Sequence, residues 1–332
     1  MRWLRNSIVA ILLIIFIYVI GPKPSTPKYN LDLPAVPSTA MDLQYFILKN
    51  ESQHKIKPDN EARIVWANDS LKQKTEYAIV YLHGFSASQE EGNPVHRNIA
   101  KQFGCNLYLS RLAEHGIDTA DALINFAPDK LWESAKEAYA IGKQLGNKVI
   151  LMGTSTGGTM ALQLAAAYPD VAGLILLSPN IAINDPNAWL LNDHWGLQIA
   201  RLVKRSKFNN IPFTNPKYKQ YWNSQYRLEA IVELEELLET TMNANTFSKV
   251  KQPVLTLYYY RDEKNQDKVV KVSAMKEMFS QLATPSDKKK MIAIPNAGNH
   301  VLGSSIVSHD IITPQNEIAS FLTSVMQLKP IK

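Results

Sequence analysis

From about residue 41 the chain alternates two kinds of segment. Apolar runs without polar interruption predict strands buried on both faces: "YAIVYLHGF" (77–85), "NLYLS" (106–110), "KVILMG" (148–153), "VAGLILLSP" (171–179), "PVLTLYYY" (253–260) and "KKMIAIP" (289–295). The stretches between them predict helices at "PVHRNIAKQF" (94–103), 128–146, 272–283 and near 314–327. The second of these has proline near its start and glycine after its end. Strands of this kind separated by helices predict an α/β fold, with a mostly parallel sheet flanked by helices on both faces.

Residues 181–250 break the alternation and contain no convincing strand. In "NAWLLNDHWGLQIARLVKRSKF", Leu191, Trp195, Ile199 and Leu202 recur at helical spacing, opposite Arg201, Lys204 and Arg205. A second helical stretch, "LEAIVELEELLETT", is acidic. The expectation is an all-helical cap inserted between the strands at 171–179 and 253–260, over the sheet's C-terminal edge. Its apolar stripe is expected to pack on the domain below rather than to meet lipid. Trp189 and Trp195 are expected to wall a substrate pocket beneath it.

The N-terminus has a different pattern. In "MRWLRNSIVAILLIIFIYVIGPKPSTPKYN", Arg2 and Arg5 precede an uninterrupted apolar run from Ile8 to Ile20, and Gly21-Pro22 follows. Bulky Ile17, Tyr18, Val19 and Ile20 stand where a signal peptidase wants small residues, so the run predicts an uncleaved signal anchor. The expected organisation is a membrane segment at 1–20, a proline-rich linker at 21–40 and one domain at 41–330, with the cap at about 181–250. Arginines before the run place the N-terminus inside and the domain on the extracytoplasmic side of a single-pass protein.

Composition narrows the choice. The chain has 332 residues, 45% of them hydrophobic, enough for one large core or two small ones. Its net charge of +6 comes from scattered lysines with no basic tract and interleaved aromatics, which argues against nucleic-acid binding. Cys105 is the single cysteine, so no intrachain disulfide and no cysteine-based zinc site can form.

Candidate chemistry centres on "VILMGTSTGG" (149–158), a buried strand, a tight corner and the start of a helix. A serine on such a corner is held in a strained conformation with its hydroxyl outward. Flanking glycines let backbones pass where a Cβ would clash, and the helix directs its positive end at the reacting centre. Ser155 is therefore the candidate nucleophile, and it needs a base and an orienting carboxylate. On a strand–elbow scaffold the chain order is serine, acid, histidine. His54, His83, His96 and His115 precede Ser155, and His194 lies in the insertion. Of His300 and His309, His300 in "AIPNAGNHVLG" follows the last strand directly and is the expected base. Behind the strand at 253–260, Asp262, Glu263 and Asp267 are all candidates for the acid. Oxyanion donors are expected at the N–H groups of Thr156 and Phe85, with His83 shaping the Phe85 loop.

Taken together, "HGF" (83–85), "GTSTGG", "DKVV" (267–270) and "GNH" (298–300) resemble the motifs of α/β-hydrolase fold serine hydrolases over roughly residues 60–330. "SRLAEHGI" (110–117) is similar to a segment of carboxylesterase and monoacylglycerol lipase relatives, with Glu114 where glycine is usual. The resemblance extends to the serine aminopeptidase-like superfamily. It implies the α/β-hydrolase fold with a cap, and Asp267 as the acid, because "DKVV" before "VSAMKEMF" resembles the family's aspartate-x-valine-valine turn. Asp262 then belongs to a surface excursion, "RDEKNQ". It further implies hydrolysis of esters of small or medium acyl groups by Ser155, Asp267 and His300, with no metal or organic cofactor. A peptidase of the same fold is one alternative; a non-catalytic envelope binding module is another.

Overall fold

The apolar runs assemble into one sheet because none has a polar face to leave in water. The computed structural model describes residues 2–213 and 215–331. Its main strands are β1 (Arg63–Val65), β2 (Thr75–Leu82), β3 (Asn106–Leu109), β4 (Gly146–Thr154) and β5 (Val171–Leu177). After the short β6 (Phe208–Asn210) and β7 (Gln225–Arg227) come β8 (Val254–Tyr258) and β9 (Lys289–Ala293). The seven-stranded sheet has the order β1-β3-β2-β4-β5-β8-β9, parallel throughout except for β1 on β3.

Alternate residues of β2 point to opposite layers. Val80 and Leu82 pack with Leu131 and Trp132 of α4 (Pro128–Leu145) and Met160 of α5 (Thr156–Ala167). Ile79 and Tyr81 pack with Ile99 of α3 (Val95–Gln102) and Phe321 of α11 (Ile312–Ser324). Helices thus cover both faces, as the unbroken apolar strands require. Two shorter elements lacked a signal in the sequence pattern: β1, and α2 (Ala40–Glu51), whose N-cap Thr39 accepts the Asp42 N–H.

The cap holds α6 (Gly196–Lys204), α7 (Pro216–Tyr221), α8 (Leu228–Thr241) and α9 (Ala244–Phe247); α10 (Val272–Gln281) follows β8. It is not all-helical, which corrects the expectation. β6 and β7 pair antiparallel, Phe208 with Arg227 and Asn210 with Gln225, and strands this short carry no readable alternation. Nor does the α6 stripe pack wholly on the domain below, since Ile199 and Leu202 are exposed. The proline-rich segment is no free tether either. Trp132 Nε1 donates to Asn30 O (2.6 Å), Lys136 Nζ to Asp32 O (2.7 Å) and Tyr168 OH to Leu31 O (2.8 Å). Ahead of it, α1 (Arg2–Val19) is long and apolar enough to cross a membrane and is exposed along its whole length.

One ion pair sets the loop that backs the site. Arg111 Nε meets Glu51 Oε2 at 2.8 Å with both side chains largely buried, and Arg111 also donates to His115 O (3.2 Å). Glu51 accepts the Ala62 N–H as well (2.9 Å), so α2, β1 and the loop after β3 share one carboxylate. Leaving one member of a buried pair uncompensated costs about 3–5 kcal/mol. Arg111→Leu should lower Tm in detergent by on the order of 5 °C or more. An unchanged Tm would mean that the pair contributes nothing to the junction.

Candidate active site

Ser155 stands between β4 and α5 at φ 52° and ψ −119°, a region that non-glycine residues avoid. Its own backbone bonds hold it there. The N–H donates to Leu177 O (2.9 Å), and the carbonyl accepts from Gly158 (2.8 Å) and Asn180 (3.0 Å). The corner closes only without side chains on its neighbours. A Cβ on Gly157 would lie 1.9 Å from Leu82 O, and one on Gly153 2.4 Å from Gly157 C.

The expected base and one of the expected acids meet. His300 Nδ1 donates to Asp267 Oδ2 at 2.6 Å, while Asp267 Oδ1 accepts the N–H groups of Val269 (2.8 Å) and Val270 (3.1 Å). Burial pushes the Asp267 carboxyl upward, but the charge and hydrogen bond of His300 outweigh it, helped by the two backbone donors, and its pKa falls below the ordinary value. Burial likewise pulls His300 down, and the Asp267 charge and hydrogen bond overcome it, with a further contribution from Glu91, so its pKa rises. His300 Nε2 is buried without a protein partner among the described residues. The hydroxyl of Ser155 is therefore not bonded to it here; such contacts often tighten only when substrate binds.

The other candidates lie elsewhere. Asp262 accepts the N–H groups of Lys264 (2.9 Å) and Asn265 (2.8 Å) at an exposed loop tip. Glu263 accepts the Tyr260 hydroxyl (2.8 Å) in the same loop. His309 donates its backbone N–H to Ala297 O (3.0 Å) and lays its ring beside Gly298.

After β2 the chain turns at His83, whose Nδ1–H donates to Gly84 O (2.9 Å) while Nε2 accepts the Leu112 N–H (3.0 Å). Both nitrogens are used by a neutral ring, and burial keeps the His83 pKa well below normal, so it serves the loop's shape. Phe85 meets the rings of Phe126 (5.1 Å) and Tyr226 (5.2 Å) edge-on. Among the described residues, the N–H groups of Phe85 and Thr156 have no protein acceptor.

Ser155, His300 and Phe85 line one cavity of about 500 Å³, roofed by Phe213, Tyr218 and Trp222 of the cap. These three aromatic rings stack, with centroids 3.5 Å and 4.7 Å apart. Trp189 and Trp195 do not line the cavity, which corrects their expected role; they sit against the end of α1.

Sequence reasoning missed Glu91. It lines the same cavity, is almost fully buried, and accepts the Gly84 N–H at 2.5 Å. Burial pushes its carboxyl up to about 7 against the opposing pull of the Gly84 N–H, the His300 charge and the Trp222 indole N–H.

Comparison with known proteins bears on the family and the fold. A family model described as serine aminopeptidase, S33, matches residues 130–300. The thermostable monoacylglycerol lipase of Bacillus sp. (strain H-257) is 31% identical over 108 residues, which span 32% of this chain and 42% of that protein. The match therefore covers less than half of the relative's length. Among solved structures, the metagenome-derived lipolytic enzymes LipS and LipT are represented by one with a TM-score of 0.60 at 15% identity, covering 80% of this chain and 98% of that one. Est1E from Butyrivibrio proteoclasticus, with ferulic acid bound, gives 0.53 at 17% identity, over 80% and 95%. At such identities the structural likeness speaks for the fold. With the family model covering over half its length, the chain belongs to the serine aminopeptidase S33 family of α/β-hydrolase fold proteins.

Proposed function

We propose that this protein is a membrane-anchored serine hydrolase that cleaves carboxylic esters through Ser155, His300 and Asp267. The observation that carries the reading is the convergence of a strained serine corner and a buried histidine–aspartate pair on one apolar cavity. Ser155 Oγ attacks the ester carbonyl as its proton passes to His300 Nε2. Asp267 holds Nδ1–H and stabilises the imidazolium. The N–H groups of Phe85 and Thr156 receive the oxyanion. His300 then returns the proton to the departing alkoxide, and water repeats the sequence on the acyl-enzyme, regenerating the Ser155 hydroxyl. The apolar lining suits an acyl chain, and α1 supplies the anchor, with the domain on the extracytoplasmic side.

Peptide cleavage is the second reading, because Glu91 places an acid beside Ser155 where a substrate amine could bind. Its carboxyl already takes the Gly84 N–H and faces the Trp222 indole, and burial favours its neutral form. Both features weaken it as an amine receptor, and the ester reading stands. Parallel assay of acyl p-nitrophenyl esters and aminoacyl anilides separates the two.

Ser155→Ala should lose on the order of 10⁶ in kcat and all labelling by a fluorophosphonate probe. Retained labelling would move the nucleophile elsewhere. Asp267→Asn should lower kcat by roughly 10³ to 10⁴, whereas Asp262→Asn changes little; the reverse ranking would transfer the acid to Asp262. Because the base must be unprotonated, kcat/KM should rise with pH through the elevated His300 pKa. Removing the neighbouring anion in Asp267→Asn destabilises the imidazolium, so the acid limb of the residual activity should move to lower pH.

Glu91 gives a pH signature of its own. Its carboxyl titrates near 7 in the folded chain against an ordinary value of 4.5, so the folded state holds a proton that the unfolded state releases between these values. Stability should fall as pH rises through that window, by on the order of 3 kcal/mol for this group. Glu91→Gln should remove that part of the decline in Tm between pH 5 and pH 8. Identical Tm profiles for the two proteins would show that Glu91 ionises freely.

A further inference from the structure

The last turn of α1 is clasped by the cap. Tyr18 OH donates to Asp193 Oδ2 (2.6 Å), Trp195 Nε1 to Ile17 O (2.9 Å), and the Trp195 backbone N–H to Pro22 O (2.9 Å). Towards the N-terminus from this clasp, α1 runs without burial. A bilayer that contains α1 must therefore begin close to the cap edge around residues 189–199.

That edge is unusually apolar for a surface. Trp189 is 54% exposed, Ile199 41%, Leu202 78% and Val203 74%. On α6, Ile199, Leu202 and Val203 fall on one face at helical spacing, and the N-cap Trp195 at the clasp precedes them. An apolar recess between Ile17, Trp189, Leu190 and Ile199 joins it to α1. Lys204, Arg205 and Lys207 stand exposed where the helix ends. On its inner side Arg201 pairs with Glu229 of α8 (2.6 Å), and Ile231 and Leu234 of α8 line the catalytic cavity.

We propose that this face, Trp189 with Ile199, Leu202 and Val203, docks into the headgroup–acyl boundary of the bilayer that α1 enters, with the basic end of α6 meeting anionic headgroups. Apolar residues on one side of a short helix and lysine or arginine at its rim are the composition of an interfacial helix. Basic side chains at such a rim add electrostatic attraction to anionic lipid. Continuity with α1 selects lipid over a second copy of the chain. The inference rests on the membrane-anchor reading, and deepens it by fixing which side of the domain faces the bilayer.

The test uses the full chain in vesicles of phosphatidylcholine and phosphatidylglycerol, with an environment-sensitive maleimide dye at Leu202→Cys. The native thiol of Cys105 does not compete, being buried and pushed up to about 12. Thr323→Cys on α11, across the sheet, is the control. With acyl-brominated lipid, the dye at 202 should lose about half its emission or more, and at 323 almost none. Equal quenching at 202 and 323, or disulfide-linked dimers formed through position 202 by the unlabelled Leu202→Cys chain under an added oxidant, would overturn the docking. Carbonate extraction reads the anchor separately. Protein that stays with the vesicles while 202 remains unquenched sinks the docking alone. Protein that is released after 202 was quenched sinks the anchor and leaves the docking standing.

Discussion

The close approach of β2, β4 and α5 at the serine corner is the constraint on which the rest of the site depends. Leu82 O lies where a Cβ of Gly157 would be, and the Gly157 backbone lies where a Cβ of Gly153 would be. With both positions bare, the helix starts directly over the end of the central strands, and Ser155 is forced out of the ordinary backbone regions. The strain is offset by the sheet around it, because the Ser155 N–H and carbonyl are satisfied from β5, α5 and the following loop. A rigid parallel sheet thus fixes where the hydroxyl can be. The loops that follow β2, β8 and β9 bring the remaining groups to it.

Electrostatics at the corner are arranged by burial. Two carboxylates flank His300 with opposite outcomes. Asp267 has charged and hydrogen-bonding neighbours strong enough to stay ionised. Glu91 has a desolvated setting that lifts it to about 7. An ionised Glu91 would set a negative charge beside the Gly84–Phe85 loop, where an oxyanion is proposed to form, so its neutral form suits that chemistry better. Trp222 connects this carboxyl to the cap. The cap touches the loop after β2 at further points, since Asn223 donates its N–H to Ser86 O (2.7 Å) and the Tyr226 ring meets Phe85 edge-on.

Much of this was legible in the sequence. Continuous apolar runs identify the six parallel strands, since a buried strand leaves no polar alternation. "GTSTGG" identifies the corner, since only glycine fits there. His300 followed from chain order, but Asp267 needed the resemblance, because distance along the chain would have chosen Asp262. What remained hidden depends on contacts between distant segments. Glu91 sits in "SASQEEGN", which reads as an exposed polar loop, and only its return to the Gly84 N–H buries it. β6 and β7 are too short for a period. Helical spacing showed a stripe on α6 but not what the stripe meets, so the aromatic roof went to Trp189 and Trp195 instead of Phe213, Tyr218 and Trp222.

The pinned segment behind α1 has a further effect. A flexible chain of about ten residues wanders over some 17 Å, which would let a tethered domain tumble and sample any direction. Here Asn30, Leu31 and Asp32 give their carbonyls to Trp132, Tyr168 and Lys136, and Pro22 gives its own to Trp195. Almost no slack is left. If α1 enters a bilayer as proposed, the domain keeps one heading and one height, like a plough set at fixed depth. Its encounters with lipid-borne molecules then become a search in two dimensions, governed by their surface density rather than by their concentration in water.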